Sequence, residues 1–571
     1  MENMPIGEFE EETDEREPEE YLEYKNGKFN GQSLLPLDFF RETFGENNTD
    51  VFDEGTSDAI QIDDLSEFVS KNAITRTGKV IVDYSIRNPL VPVDRIKAKQ
   101  EALDELRTND KIRRGIEDVL HNVQIYEGDV RFQTGALGFL SGHGDTYSTQ
   151  GDIRAILGSL PKWAKDIPEP ESVYLRELIS NIRKNLRNSS VHKVAKGPIF
   201  RHWINGKIYG LEEVLKNRPL VSPLPFNPLP FQIIPTFIGF AGPISASVYN
   251  AVNMVGSLSP DKALVGIVMG TMGSAICGFG GYAIGLARDR YNFLKPMERR
   301  FRNDAEAVNA YGAVGCLDEL LAYDRFGKQL PNASLPEVVD SERNDFFAEG
   351  LVNPLQSQKI KDYVPNDVVL NNGQRLTFLT GPNSGGKTSL GKSIAQAQVL
   401  AQIGCYVPAT NARMSIADRI FYQVGKNDSL DDDEGGLGTQ FKETKKVLFS
   451  STPKSLVVID DLIEGTTFDE KTKHTIDQLY GFLHKGANVI YTSHHPELAK
   501  GFQDRGVGNF WQIEFKDGRP THKIIPGISR DSHSDVVAKR IGFDEESIRQ
   551  HLVRAGYLKP GQELKDYQVS K

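Results

Sequence analysis

Apolar residues recur at helical spacing through residues 90–122, where Ile96, Leu103, Leu106, Ile112, Ile116 and Leu120 stand among dense charge. The pattern predicts two amphipathic helices joined near Asn109-Asp110. Residues 172–187 and 295–330 read as helical in the same way. The texture changes at about residue 351, where short apolar runs alternate with helical stretches. Leu376, Phe378 and Leu379 form one such run, Ser455–Asp461 (SLVVIDD) a second, and Asn488–His495 (NVIYTSHH) a third. Runs of this length that end in polar groups predict the buried strands of a parallel α/β sheet, whose ligand sites lie at the strands' carboxyl ends.

A different pattern lies between these halves. Residues 219–260 contain no Asp, Glu, Lys or Arg; Asp261 and Lys262 interrupt, and the 25 residues from Ala263 to Ala287 are again uncharged. A helix of that length crosses a hydrocarbon core of roughly 30 Å. The expected spans are 236–258, kinked near Pro243, and 263–287, whose many glycines include the small-xxx-small pair Gly266 and Gly270. Basic residues flank the pair on both outer sides: Lys216 and Arg218 before it, Arg288, Arg290, Lys295, Arg299, Arg300 and Arg302 after it. The positive-inside bias then puts the N-terminal region and the C-terminal half on the cytoplasmic side, and the lipid bilayer becomes an expected partner.

The chain has 571 residues, enough for several domains, with 67 basic and 78 acidic side chains and a formal charge of −11. That balance does not make it a nucleic-acid coat protein, although local basic stretches such as Lys97–Arg114 remain. Three separated cysteines, Cys277, Cys316 and Cys405, form neither a disulfide framework nor a zinc spacing. The N-terminus (GEFEEETDEREPEE) is acidic and lacks the pattern of a secretory signal.

The chemistry concentrates after the strand at Leu376. Gly381-Pro382-Asn383-Ser384-Gly385-Gly386-Lys387-Thr388, followed by Ser389, has the G-x-x-x-x-G-K-[ST] spacing in a strand–loop–helix setting. Glycines let backbone N–H groups turn inward around a phosphate, and the following helix adds its positive end. Lys387 is placed to reach β- and γ-phosphates, and the Thr388 hydroxyl to hold Mg²⁺. Asp460, at a strand's end, is the second candidate Mg²⁺ ligand. Asp461 is placed to orient an attacking water, and His494 to contact the γ-phosphate. ATP and Mg²⁺ are the implied cofactors.

Over residues 365–550 these segments together resemble the MutS family of ATPases. TGPNSGGKTS resembles its phosphate loop, GCYVPA and DRIFYQVG the stretches after it, and SLVVIDDLIEGTTFD its Walker B strand and D-loop. TSHHPEL resembles its switch-histidine segment, and IIPGISRDSHSDVVAKRIGF its dimer-packing segment. Residues 76–122 and 308–352 resemble, more weakly, the two halves of the family's helical lever. The resemblance implies an α/β P-loop ATPase domain joined to an all-α lever that carries the transmembrane hairpin. It also implies a homodimer with composite ATP sites, closed over by the partner's Gly435–Thr439 region. About 75 residues precede the lever, too few for the family's mismatch-recognition and connector domains, and the hairpin stands where the family has its DNA clamp. Asp461 replaces the family's Glu with a carboxylate one methylene shorter, which implies slow hydrolysis.

The expected organisation is an acidic, partly disordered N-terminal region (1–75), a first lever half (76–225), the hairpin (226–290), a second lever half (291–350), the ATPase (351–527) and a C-terminal dimerisation segment (528–571). The expected function is a membrane-anchored, dimeric Mg·ATP-driven switch. A membrane-tethered binder of DNA structures or mismatches, with nucleic acid as partner, is one alternative. A nucleotide-binding scaffold without turnover is another.

Overall fold

The computed structural model describes residues 51–90, 92–128, 155–196, 199–201, 208–210, 214, 300, 303–370, 373–382, 385–424, 435–460, 468–493, 496–516, 519–529, 538–539 and 541–564. Two compact units emerge, each assembled from separated stretches of chain: 1–46, 73–81 and 104–321 in the first, 47–72, 82–103 and 322–571 in the second.

The described part of the first unit is helical apart from a small antiparallel pair, β1 (Ile199–Arg201) and β2 (Ile208–Gly210). Two buried aspartates organise its helix starts. Asp304 accepts from Ala307 N at 3.0 Å and from Ser190 N at 2.8 Å, so one carboxylate caps the helices Ala305–Gln329 and Ser190–Lys196. Asp318, fully buried, accepts from the backbone N–H groups of Ile74 and Thr75 at the start of the helix Arg76–Arg87. The helices predicted within 90–122 are present as Val93–Thr108 and Asp110–Gly128, and they meet at Asn109.

In the second unit the sheets are built from β3 (Glu337–Val339), β4 (Phe346–Leu351), β5 (Asn366–Val369), β6 (Leu376–Thr380), β7 (Asn411–Ser415), β8 (Ile420–Val424), β9 (Leu456–Asp460), β10 (Asn488–Ser493), β11 (Asn509–Lys516) and β12 (Arg519–Pro526). A six-stranded sheet runs in the order β12-β11-β6-β10-β9-β8, and a four-stranded one in the order β3-β7-β4-β5. Strands β11, β6, β10, β9 and β8 are mutually parallel, and β12 returns antiparallel to β11.

The helices of this unit are α1 (Glu54–Ala59), α2 (Ile62–Ser70), α3 (Lys387–Gln402), α4 (Gly435–Ser450), α5 (Phe468–Lys485), α6 (Pro496–Gln503) and α7 (Glu545–Arg554). Side-chain parity shows how they cover the large sheet. Phe421, Val457, Ile459 and Phe378 pack with Leu479 and Phe482 of α5 and with Leu498 and Phe502 of α6. Tyr422 and Val458, one residue out of phase, face Gly391 of α3. Both faces are covered, which explains why β6, β9 and β10 read as unbroken apolar runs rather than as alternating ones.

Residues 51–72, read from the sequence as part of an acidic N-terminal region, cover the free edge of β8. Ile420 N donates to Val51 O at 2.6 Å and Tyr422 N to Thr56 Oγ1 at 3.2 Å. Ile60, Ile62, Leu65 and Val69 are fully buried. An unpaired edge would invite another strand, and this segment closes it.

The expected transmembrane hairpin at 226–290 lies outside the described residues. Among the described residues no helix is long and apolar enough to cross a membrane, and the integral-membrane expectation is corrected to that. The expectation rests on the two uncharged runs and their basic flanks.

Phe378 is the centre of the large core. Its ring lies 5.2 Å from that of Phe502, 5.6 Å from Phe510 and 5.7 Å from Tyr491. Phe378→Ala is expected to cost about 3–5 kcal/mol, measured as a lower urea midpoint with an unchanged slope.

Candidate functional site

The site forms where β6, β10 and β9 end together. Parallel pairing sets Thr380 beside Ser493 and Thr492 beside Asp460. The loop after β6 therefore leaves the sheet next to the carboxylate that ends β9.

Backbone geometry makes glycine necessary at the loop's two ends. Gly381 has φ 141° and Gly386, capping α3, has φ 96°. A Cβ on Gly381 would lie 3.0 Å from Ile513 Cβ, and one on Gly385 3.1 Å from Ile513 Cγ1. The loop is thus moulded against one side chain of β11. Lys387 is 3% exposed, and its ammonium donates to Gly381 O at 2.8 Å and Pro382 O at 3.0 Å. Thr388 is exposed at the start of α3. Ser389 turns sideways: its hydroxyl donates to Gln356 Oε1 at 2.5 Å and lies 2.8 Å from the Tyr363 hydroxyl.

Asp460 is half-buried, and its carboxylate accepts a short hydrogen bond from the Thr492 hydroxyl. Lys392, one turn along α3 from Thr388, donates to Gln61 Oε1 at 3.3 Å. Burial lowers its ammonium pKa, and the nearby carboxylates of Asp460 and Asp64 oppose that shift.

A cleft opens beside the loop, lined among others by Ile360, Tyr363, Gly386, Ile513, His522 and Ile524. Asn366 ties its walls together: Nδ2 donates to His522 O at 3.0 Å, and Oδ1 accepts from Ile524 N at 2.8 Å. His522 has φ 62°, a strained conformation for a residue with a Cβ. Its Nδ1 lies 3.1 Å from Gly385 O, which links the cleft to the loop.

Of the residues predicted from sequence, Gly381, Pro382, Gly385, Gly386, Lys387, Thr388 and Ser389 stand together on the loop and helix start, with Asp460 at the end of β9. Asn383, Ser384, Asp461 and His494 lie outside the described residues, as does the Asp431–Glu434 run. The sequence did not disclose the cleft residues Tyr363, Asn366 and His522, or Tyr422 and Thr492 beside Asp460. The one signal was the run of strands whose ends meet there.

Strand, glycine loop, helix and a neighbouring acidic strand end define the P-loop class of α/β domains. Residues 377–553 match the family model of MutS domain V. The chain is 27% identical to the DNA mismatch repair protein MSH3 of Kluyveromyces lactis over 46% of its own length and 26% of the relative's. It is 30% identical to the DNA mismatch repair protein MutS of Methanothrix thermoacetophila over 42% and 28%. It is 29% identical to the Endonuclease MutS2 of Ligilactobacillus salivarius over 44% and 31%. These matches support membership of the MutS family. The chain spans between about a quarter and a third of the length of these relatives. The names of these relatives lend no support to the expected bilayer anchor and lipid partner.

Gly381→Ala is expected to destabilise the domain by about 1–3 kcal/mol, from overlap with Ile513 and from the positive φ. In an Ile513→Ala background, which has its own cavity cost, the same change at Gly381 should cost only the positive-φ part. Thermal melts of wild type, both single variants and the double variant separate the contributions.

Proposed function

We propose that the chain is a MutS-type ATP-binding module that hydrolyses Mg·ATP slowly and acts as a dimeric switch. The observation that carries this reading is the juxtaposition of three features at one sheet end: the glycine loop with Lys387, the Asp460 carboxylate, and the cleft of Tyr363 and His522. The triphosphate would lie along the loop and α3 start, where N–H groups and the helix end favour anions. The base would enter the cleft, which is partly apolar and has the Tyr363 ring in its wall. Thr388 and Asp460 offer hard oxygen donors of the kind Mg²⁺ takes, so the residues present fit the metal. Bound there, Mg²⁺ would neutralise phosphate charge. Asp461 would orient the attacking water and His494 would read the γ-phosphate.

The C-terminal segment supports the dimer. Helix α7 has no buried residue, and Ile541, Phe543 and Tyr557 around it are 67%, 69% and 83% exposed. An apolar set left uncovered by its own chain is what a second copy would bury. Phe543→Glu is expected to convert dimer to monomer in light scattering at micromolar concentration. An unchanged mass would remove this segment from the interface.

A second reading, that the switch acts on DNA, is favoured by the names of the relatives, two DNA mismatch repair proteins and an endonuclease. The test of both readings is ATP binding and steady-state hydrolysis by the full chain, with Lys387→Ala as control. Binding should be lost in that variant; retained affinity would overturn the site. Homoduplex, mismatched and branched DNA are then added in turn. Stimulation that fades with salt supports the DNA reading, because phosphate contacts release counterions. Indifference to all three removes it.

A further inference from the structure

Tyr422 lies on β8, in the DRIFYQVG stretch but with no role read for it there, yet its side chain ends at the backbone of Thr388, one of the two proposed Mg²⁺ ligands. It is 3% exposed. Its hydroxyl donates to the backbone carbonyl of Thr388 at 3.2 Å. The Asp460 carboxylate lies near the same hydroxyl, at the end of the strand that pairs with β8. Burial raises the phenol's pKa well above its usual value, and the Asp460 charge adds to that, so the group stays a proton donor at neutral pH.

The neighbourhood is shaped to admit this hydroxyl. Gly391 lies inside α3, where glycine is less favourable than alanine. A Cβ there would lie 3.1 Å from the Tyr422 hydroxyl and 3.1 Å from Val458 Cγ1. The helix therefore leaves open the space through which the ring reaches Thr388. The backbone beneath the ring is fixed as well, because Tyr422 N donates to Thr56 Oγ1 of α1 at 3.2 Å and Thr56 is itself 3% exposed. On the other side of Asp460, Thr492 supplies a second hydroxyl.

We propose that Tyr422 is a positioning residue for the metal site: its hydroxyl, bonded to the Thr388 carbonyl from the strand beside the one that ends in Asp460, fixes the spacing of the two groups that take Mg²⁺. The inference rests on the ATP reading above. The phenol gives its one proton to the Thr388 carbonyl and so ties the start of α3 to β8. Strand β8 pairs with β9 as far as Val424 and Asp460, so the same tie sets the helix start relative to the acidic strand end. Outer hydrogen-bond partners of metal ligands act in this way elsewhere, through orientation rather than contact with the metal.

The experiment is a titration of the full chain with ATP, in EDTA and across a MgCl₂ series, for the wild type, Tyr422→Phe and Gly391→Ala. Tyr422→Phe keeps the ring and its packing and removes only the hydroxyl. The expected result is ATP affinity in EDTA within about twofold of wild type and a Mg²⁺ midpoint raised about tenfold. Gly391→Ala, whose methyl crowds the hydroxyl, should raise the midpoint in the same direction by a smaller factor. An unchanged Mg²⁺ midpoint in Tyr422→Phe would overturn the proposal. So would an equal loss of affinity with and without Mg²⁺, since that marks a packing defect only. A wild-type chain that binds no ATP in either condition would overturn the nucleotide reading, and this inference with it.

Discussion

Everything at the candidate site depends on the parallel register of three strands. Ser493 pairs with Thr380 and Thr492 with Asp460, so β6, β10 and β9 stop level with one another. A slip of one residue would move a strand end by about 3.3 Å and turn its side chains to the opposite face. The loop would then no longer begin beside the acidic strand end. Burial on both faces guards against that slip, because each strand has a large apolar set committed to helices on either side. Thr380, at the last position of β6, is pinned further: its hydroxyl donates to Trp511 O at 3.2 Å and accepts from Ser529 N at 2.9 Å.

This dependence explains which parts of the molecule could be read from the sequence. The glycine loop was legible because its constraint is local: residues a few positions apart must turn tightly and then start a helix. Asp460 was legible because a buried strand ending in a carboxylate is rare enough to mark a site. The cleft was not, because Tyr363 precedes β5, Ile513 lies on β11 and His522 on β12, and only the folded sheets unite them. Tyr422 was hidden for a related reason. In a strand it reads as one more core aromatic, and its value lies in what α3 places above it.

The edge of the sheet teaches the same lesson in reverse. Residues 51–72 fall within the region read as acidic and partly disordered, and their apolar positions are the ones that count. Ile60, Ile62, Leu65 and Val69 are buried while Asp63, Asp64 and Glu67 sit on the other side of the helix or at its start. Charge density is a property of a whole stretch, whereas burial is decided position by position, so composition alone does not disclose what this segment does.

The β11–β12 hairpin joins these threads, because it touches the loop twice. Ile513 fills the space that glycine leaves at 381 and 385, and the His522 ring meets Gly385 O. Both residues also line the cleft. A ligand that moves either side chain must therefore press on the loop backbone, and a change in the loop must be felt in the hairpin. The pairing of β11 with β12 is irregular between Ile513 and Phe515, so this is the part of the hairpin with least regular hydrogen bonding to resist a shift. The chain leaves β12 at Pro526 and, within twenty residues, enters the C-terminal segment with its exposed apolar side chains. The proposed occupancy of the loop and the proposed association through that segment would therefore both bear on one hairpin.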